Sequence, residues 1–523
     1  MFGGDGSEGV VYDGDRDGDF PFEDPYDAIG LSVAGLGDIN GDGFDDAFIG
    51  DPGFGGFYFA GSPGRSYLIF GRSDGFPPVS PLPEPGTGVL LRTLGRDNFA
   101  GVSQRVGDVN GDGLDDILVG AWRKARDVDN QTTGQAYLLF GRPDFGTQVL
   151  VLDNIQNRPG TGTLFTGLNN GDGTGSDVVG ACDLNGDGID DMLIGAYGAD
   201  ADGVNSAGVT YVVFGRTRFP PITPLGILSP QVGGDGSVGF VVKGSEEFDR
   251  VGNDVACGDV NADGRADLLL SPYVLFGRSD GFPAVVDLAD LRPENGGDGS
   301  QGFLVSVEQP LLVNRIQAAG DLNGDGHDDM VVDLGRSNVD SFGPRVAAVL
   351  YGTEQPTPAV LELDSLRPGE GGDGERGFFL SAEPADEGLG LRRVASAGDF
   401  DGDGIGDLLI GHPNINADGV DPVNVETDGV TYLLFGTTDP IPAEVDLTDL
   451  RAANGGDGSA GIVFLGEPDA FTANTAALGA AVSSAGDLNG DGYDDLVIGA
   501  PDSPQFLGPE GGGAYVIFGR PRR

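Results

Sequence analysis

DINGDGFDD, running from Asp38 to Asp46, places oxygen-bearing side chains at loop positions 1, 3, 5 and 9: Asp38, Asn40, Asp42 and Asp46. Gly43 at position 6 permits the sharp reversal that turns them onto one centre, and Phe44 at position 7 offers its backbone carbonyl. Five or six oxygens with three formal negative charges form a cage for a hard divalent cation. Calcium suits it better than magnesium, which demands octahedral geometry and keeps its water.

The pattern returns six times. The further ligand sets are Asp108, Asn110, Asp112, Leu114 and Asp116; Asp183, Asn185, Asp187, Ile189 and Asp191; and Asp259, Asn261, Asp263, Arg265 and Asp267. They continue with Asp321, Asn323, Asp325, His327 and Asp329; Asp399, Asp401, Asp403, Ile405 and Asp407; and Asp487, Asn489, Asp491, Tyr493 and Asp495. About seven calcium ions are therefore expected, in a structural role. The copies are spaced by 70, 75, 76, 62, 78 and 88 residues, so each interval holds a whole supersecondary unit. An EF-hand loop would need a carboxylate at position 12, where this chain has Ile49, Val119, Ile194, Leu270, Val332, Ile410 and Ile498. That reading fails in all seven copies.

The flanks read as β-structure. Each loop is followed by an aliphatic run such as AFIG, ILVG or LVIG, and then by a second run such as YLIFGR at Tyr67 or YVIFGR at Tyr515. A further segment, GGDGxxGF, occurs at Gly233, Gly296 and Gly371, and with isoleucine for phenylalanine at Gly455. Each unit thus supplies about four strands, the content of one propeller blade. The fold expected is all-β: a single domain over residues 1–523, a seven-bladed β-propeller with four antiparallel strands per blade. The opening GGDGSEGVVY from Gly3 matches the segment due after Tyr515–Phe518, so the N-terminal strand is expected to complete the C-terminal blade and close the ring.

Charge bounds the partners. The chain carries 83 acidic and 29 basic residues, a formal net charge of −54, and lysine occurs only as Lys124 and Lys243. Seven calcium ions would offset only part of this, and the remainder favours solubility. A field of that sign repels phosphates, so neither nucleic acid nor an anionic membrane is an expected partner. No apolar run is long enough to insert in a bilayer, and MFGGDGSEG shows no export signal. Calcium loops of this kind nevertheless point outside the cell, to a secreted or cell-surface protein.

Taken together, the metal loops, the IGAP that follows at Ile498 (IGDP at Ile49, IGHP at Ile410) and the preceding GLSV at Gly30 and GAAV at Gly479 resemble FG-GAP repeats. These build the seven-bladed propeller of integrin α-subunits and of bacterial surface proteins. The resemblance spans essentially the whole chain, with departures: SPYV and VDLG replace IGAP in the fourth and fifth units, and Asp401 replaces asparagine in the sixth. It implies a binding, adhesion or assembly module for a protein or glycan, or self-association, and a ligand face opposite the metal loops. The alternative is a secreted hydrolase or an ancillary domain of one.

On that face AWRKARD gathers the only tryptophan, Trp122, with Arg123, Lys124 and Arg126, and the preceding unit adds Phe57, Tyr58 and Phe59. Trp and Arg are common interface anchors, which makes these the candidate partner-binding residues. Catalysis has little support. The two histidines, His327 and His412, have no nucleophile in a suitable setting, and no catalytic residue is assigned. Asp13 to Asp24 reads as an acidic loop without counterparts. Cys182 and Cys257 precede the metal loops of consecutive units, where a disulfide is sterically conceivable, but two buried thiols are the expected state.

Overall fold

The computed structural model of the chain describes residues 7–13, 29–51, 64–81, 88–93, 105–123, 132–145, 149–308, 311–336, 346–381, 393–413, 429–466, 477–501 and 512–522. Seven small sheets form a seven-bladed propeller. The first blade shows the plan, with the hydrogen-bonded order Ser32–Gly37, Asp46–Asp51, Arg65–Ile69 and Gly88–Arg92, all antiparallel. The acidic loop joins the first two strands, so every repeat of DINGDGFDD lands on one rim.

The third to sixth blades begin at Thr174–Cys182, Ala256–Gly258, Leu311–Gly320 and Arg393–Gly398. In the second blade Ile117–Ala121, Gln135–Leu139 and Gly162–Thr166 follow the acidic loop. The seventh sheet takes Ala481–Gly486, Asp495–Ala500 and Gly513–Ile517, and beside the last of these lies Gly9–Asp13, antiparallel, with Gly9 opposite Ile517 and Asp13 opposite Gly513. N- and C-terminal strands thus share one sheet.

The four-strand plan needs one addition. In six sheets the outer edge carries a further strand of three residues, running parallel, handed over from the neighbouring blade. Val149–Val151, for instance, leaves the third strand of the second blade and pairs with Gly88–Arg92 of the first, Leu90 opposite Val149. Ile222–Pro224, Val285–Asp287, Val360–Glu362, Glu444–Asp446 and Val79–Pro81 do the same around the ring. After five of these strands the chain turns through a short 3-10 helix, as at Leu288–Leu291, whose two leucines are buried.

The core is divided rather than central. Seven apolar clusters lie in the wedges between successive blades; Tyr137, Leu139, Leu152 and Ile155 of the second blade, for example, pack with Phe48, Leu68 and Leu91 of the first. Strands such as Asp191–Ala196 and Val209–Val213 are buried along their whole length because both faces meet a neighbour. That explains why these stretches read as continuous aliphatic runs and not as alternating ones.

Candidate metal centres and the ring of carboxylates

Each acidic loop is wound around its own carboxylates. Asp38 accepts the backbone N–H groups of Gly41, Asp42 and Gly43 at 2.6, 3.1 and 2.9 Å, and Asp42 accepts that of Phe44 at 3.0 Å. The pattern repeats at Asp108 and Asp112, Asp183 and Asp187, and Asp487 and Asp491. Position 6 adopts a left-handed conformation in every loop, with φ of +90° at Gly43 and +82° at Gly264, where a side chain would be strained.

Position 9 lies deeper. Asp46 is fully buried and accepts N–H from Ile39 at 3.1 Å and from Gly71, beyond the third strand, at 2.9 Å. Asp116, Asp191, Asp267, Asp329, Asp407 and Asp495 each repeat both bonds. The bond to the third-strand glycine gives the FG of each FGR a function: it closes the blade onto its loop. Burial pushes these seven carboxyls up to about 8, against the opposing pull of their backbone donors.

Position 8, passed over in reading the sequence, joins the blades. Asp115 accepts the N–H of Asp38, 77 residues away in the previous blade, at 3.0 Å. Asp190, Asp328, Asp494 and Asp45 accept from Asp108, Asp259, Asp399 and Asp487 at 3.0, 2.9, 2.8 and 2.8 Å. The glycine before each receiving loop makes room: a Cβ on Gly37 would stand 1.9 Å from the Asp115 carboxylate. Two links are missing, because the fourth and sixth loops have Ala266 and Gly406 at this position. At the first of these gaps, between the third and fourth blades, Cys182 and Cys257 form a disulfide with Cα atoms 6.1 Å apart. The expectation of two free thiols is corrected. The inner strands of adjacent blades approach closely enough here for a covalent bond to stand beside the missing carboxylate link.

The oxygen set fits a hard cation. In the sixth loop Asp399, Asp401 and Asp403 each place an oxygen within 4.8 Å of the others, and elsewhere asparagine fills the middle position with an amide oxygen. Amide donors use only part of each carboxylate's acceptor capacity, so lone pairs remain for a metal. Two loops also hold a cation from the chain itself: Arg522 pairs with Asp401 and, at 2.7 Å, with Asp403, while Arg265 pairs with Asp263 at 2.8 Å.

A cavity of about 740 Å³ runs through the middle of the ring. Its wall carries a polar cluster that motif reading missed: Asp177, Asp254, Arg315 and Arg393. Asp177 accepts the N–H of Val255 at 3.0 Å, and Arg315 stands 3.9 Å from Asp254. Burial, reinforced by the charge of Asp254, pushes Asp177 up to about 7; burial raises Asp254 as well, with Arg315 opposing. The only signal for this cluster was a charged residue on otherwise apolar or small-residue inner strands.

Trp122 also lines this cavity, with its ring edge-on to Tyr197 of the third blade, centroids 6.0 Å apart, and Arg123 lies over it at 4.5 Å. Lys124, Arg126, Phe57, Tyr58 and Phe59 lie outside the described residues, as does most of Asp13 to Asp24. Four arginines of the FGR segments, Arg72, Arg142, Arg216 and Arg278, donate their backbone N–H to the neighbouring acidic loop and each stack on a phenylalanine at 4.5 to 4.7 Å. In the fourth unit Ser271 and Pro272 alone connect two strands and border a second depression of about 470 Å³.

Comparison with known proteins agrees with this architecture. The FG-GAP repeat family matches residues 101–139, 174–213 and 478–517. Integrin alpha-PS2 of Drosophila melanogaster is 36% identical over 123 residues, 23% of this chain and 7% of that protein. Integrin alpha pat-2 of Caenorhabditis elegans is 29% identical over 123 residues, 23% of this chain and 9% of that one. A phosphatidylinositol-glycan-specific phospholipase D of Rattus norvegicus is 33% identical over 125 residues, 14% of its length. The matched stretch is thus a small part of each relative. Among solved structures, the rhamnogalacturonan lyase YesW aligns with a TM-score of 0.37 and 12% identity, covering 95% of this chain and 75% of that one. The chain is a seven-bladed β-propeller that resembles the propeller of integrin α-subunits, with FG-GAP repeats matched in its second, third and seventh blades.

Proposed function

We propose that the protein is an extracellular calcium-binding propeller that serves as an adhesion, binding or assembly module for a protein or glycan partner and is not itself an enzyme. The observation that carries this reading is the set of seven acidic loops on one rim, each with a fully buried position-9 carboxylate, the sixth also bringing oxygens of Asp399, Asp401 and Asp403 within 4.8 Å of one another. Without a cation these groups repel one another and bear the cost of burial; a divalent ion offsets both. The metal is structural, because the loops also carry the hydrogen bonds between blades. The integrin relatives support the placement at the cell surface.

Thermal unfolding in calcium, magnesium and excess chelator tests the metal. Ions that bind only the folded chain raise its melting temperature by mass action, so chelation lowers it and calcium restores it better than magnesium. An unchanged melting curve in chelator refutes the assignment.

A second reading, a secreted hydrolase or an ancillary domain of one, draws on the buried pair Asp177 and Asp254 in the central cavity and on the phospholipase relative. Turnover in a glycoside and phosphodiester hydrolase panel that disappears on Asp177→Asn would favour it over the binding module.

A further inference from the structure

The sixth acidic loop departs from the other six at position 3, where Asp401 stands in place of asparagine. In the second and fourth loops the asparagine turns its Nδ2 to the buried position-9 carboxylate, Asn110 to Asp116 and Asn261 to Asp267, each at 3.2 Å. A carboxylate cannot donate that bond. In the sixth loop a positive partner arrives instead from the next blade: the guanidinium of Arg522 pairs with Asp401, whose side chain is fully buried, and with Asp403 at 2.7 Å. It also donates to the carbonyl oxygen of Gly436 at 2.8 Å and lies over the ring of Phe435, 4.7 Å from its centroid. Four groups of the sixth blade thus hold one side chain that follows the strand Gly513–Ile517 of the seventh.

The backbone delivers Arg522 to this place. In each blade the residue after the third-strand glycine donates its N–H to position 2 of the preceding blade's acidic loop, as Arg72 does to Leu488, Thr437 to Leu322 and Arg520 to Phe400, at 2.8 to 2.9 Å. Two residues beyond that bond the sequence has Asp74, Asp144, Asp280 and Asp439 in four blades, Gln355 in the fifth and Arg218 in the third. The loop preceding Arg218 keeps asparagine, as Asn110, so an arginine in this place and a fourth loop carboxylate coincide only at Arg522 and Asp401. The oxygens engaged are those a metal would use. Asp401 and Asp403 each give Oδ1 to a backbone N–H, from Asp403 at 3.2 Å and from Ile405 at 3.0 Å. Their Oδ2 atoms remain for a cation, and it is these that Arg522 takes.

We propose that Arg522 and calcium compete for the sixth loop, which makes it an exchangeable metal site: at low calcium the guanidinium is the loop's cation and clasps the seventh blade to the sixth, and calcium enters by displacing it. The inference rests on the calcium reading above and adds that the seven loops are not equivalent. Both cations cannot use the same oxygens. An ion at about 2.4 Å from the two Oδ2 atoms would crowd a guanidinium already at hydrogen-bond distance from them, and it carries charge of the same sign. Once the arginine leaves, Asp399, Asp401, Asp403 and Asp407 give this loop four carboxylates where the others have three, and added ligand charge raises affinity for a divalent ion. Asp401 therefore favours calcium in the vacated loop, while Arg522 sets the calcium concentration at which the exchange occurs.

Calcium titration of the full-length protein, with bound ions counted by native mass spectrometry, tests the competition. Arg522→Gln should take up one ion that the parent gains only at calcium concentrations at least tenfold higher. Arg520→Gln removes one positive charge as well, but from a side chain paired with Glu8 at 3.5 Å, and should take up ions as the parent does. Thermal unfolding gives a second readout. In excess chelator Arg522→Gln should melt below the parent because the clasp is lost, whereas in saturating calcium the two should converge, so the rise on adding calcium is larger in the variant. Equal ion uptake across the titration, or equal rises in melting temperature, overturns the competition and leaves the calcium reading standing. A parent chain that takes up no ion and melts alike in calcium and chelator overturns both.

Discussion

Replacing Asp115 by alanine removes one link between the first and second blades and leaves the rest of both loops in place. The carboxylate accepts the N–H of Asp38 at 3.0 Å, and its loss leaves a part-buried donor with no replacement, because the neighbouring Gly37 has no side chain to offer an acceptor. A donor stripped of its partner costs about 1–3 kcal/mol. For a chain of 523 residues the unfolding entropy scales to about 1.1 kcal/mol/K, so the expected fall in melting temperature is only about 1–3 °C. Equilibrium unfolding in urea reads the free energy directly, and saturating calcium keeps any ion binding constant between variants. Asp115→Asn, which keeps an acceptor oxygen but no charge, should lose less than half as much. Asp74→Ala, at a side chain that is 84% exposed, should stay within about 0.5 kcal/mol of the parent. If Asp115→Ala matches the parent while Asp74→Ala does not, the link between blades contributes nothing and the reasoning is wrong.

Reduction of the Cys182–Cys257 bond, or serine at both positions, frees a loop of 75 residues and should cost about 2–4 kcal/mol in urea unfolding, more than either single carboxylate link. Asp177→Asn should change the pH dependence. Its folded-state pKa of about 7 lies above the ordinary 3.8, so between those values the folded chain holds a proton that the unfolded chain releases. The parent therefore loses stability as pH rises through that window, by up to about 1.4 kcal/mol per pH unit for this one group, and the asparagine variant should show a flatter profile from pH 4 to pH 7. Equal slopes would count against the buried, protonated carboxyl. Replacing Trp122 and Arg123 together by alanine should weaken capture of any protein or glycan partner while leaving the calcium-dependent shift in melting temperature intact; undiminished capture would move attention to the depression at Ser271.

The acidic loops made the blade count legible, because an acidic-loop pattern repeated at supersecondary spacing has few alternatives, and the aliphatic runs after each loop read correctly as strands, although their burial on both faces emerged only from the fold. Other features left little trace. A strand of three residues such as Ile222–Pro224 is too short to show a period, and its parallel pairing depends on a partner from another repeat. The carboxylates of Asp45 and Asp115 were visible as the first aspartate of each DD, but their acceptor role belongs to the neighbouring blade and cannot be read within one repeat. For the disulfide, sequence separation equalled the repeat length, which is neutral between a bond and two thiols until the inner strands are placed. Trp122 was singled out by composition, whereas its packing on Tyr197 and its place on the cavity wall are tertiary facts.

The short parallel strands bear on how such a ring gains or loses blades. From one acidic loop to the next the gene encodes two strands of a blade, a tie to the blade before it, the outer strand, and the first strand of the blade after. The heritable module is therefore out of phase with the visible one. A duplication cut from loop to loop inserts a copy whose tie fits the edge it meets and whose own edge fits the next tie, so the ring can grow with every seam already matched. A duplication cut at blade boundaries would sever two ties and strand a third. Recombination of the first kind leaves every edge matched to a tie, whereas the second kind leaves edges and ties unpaired.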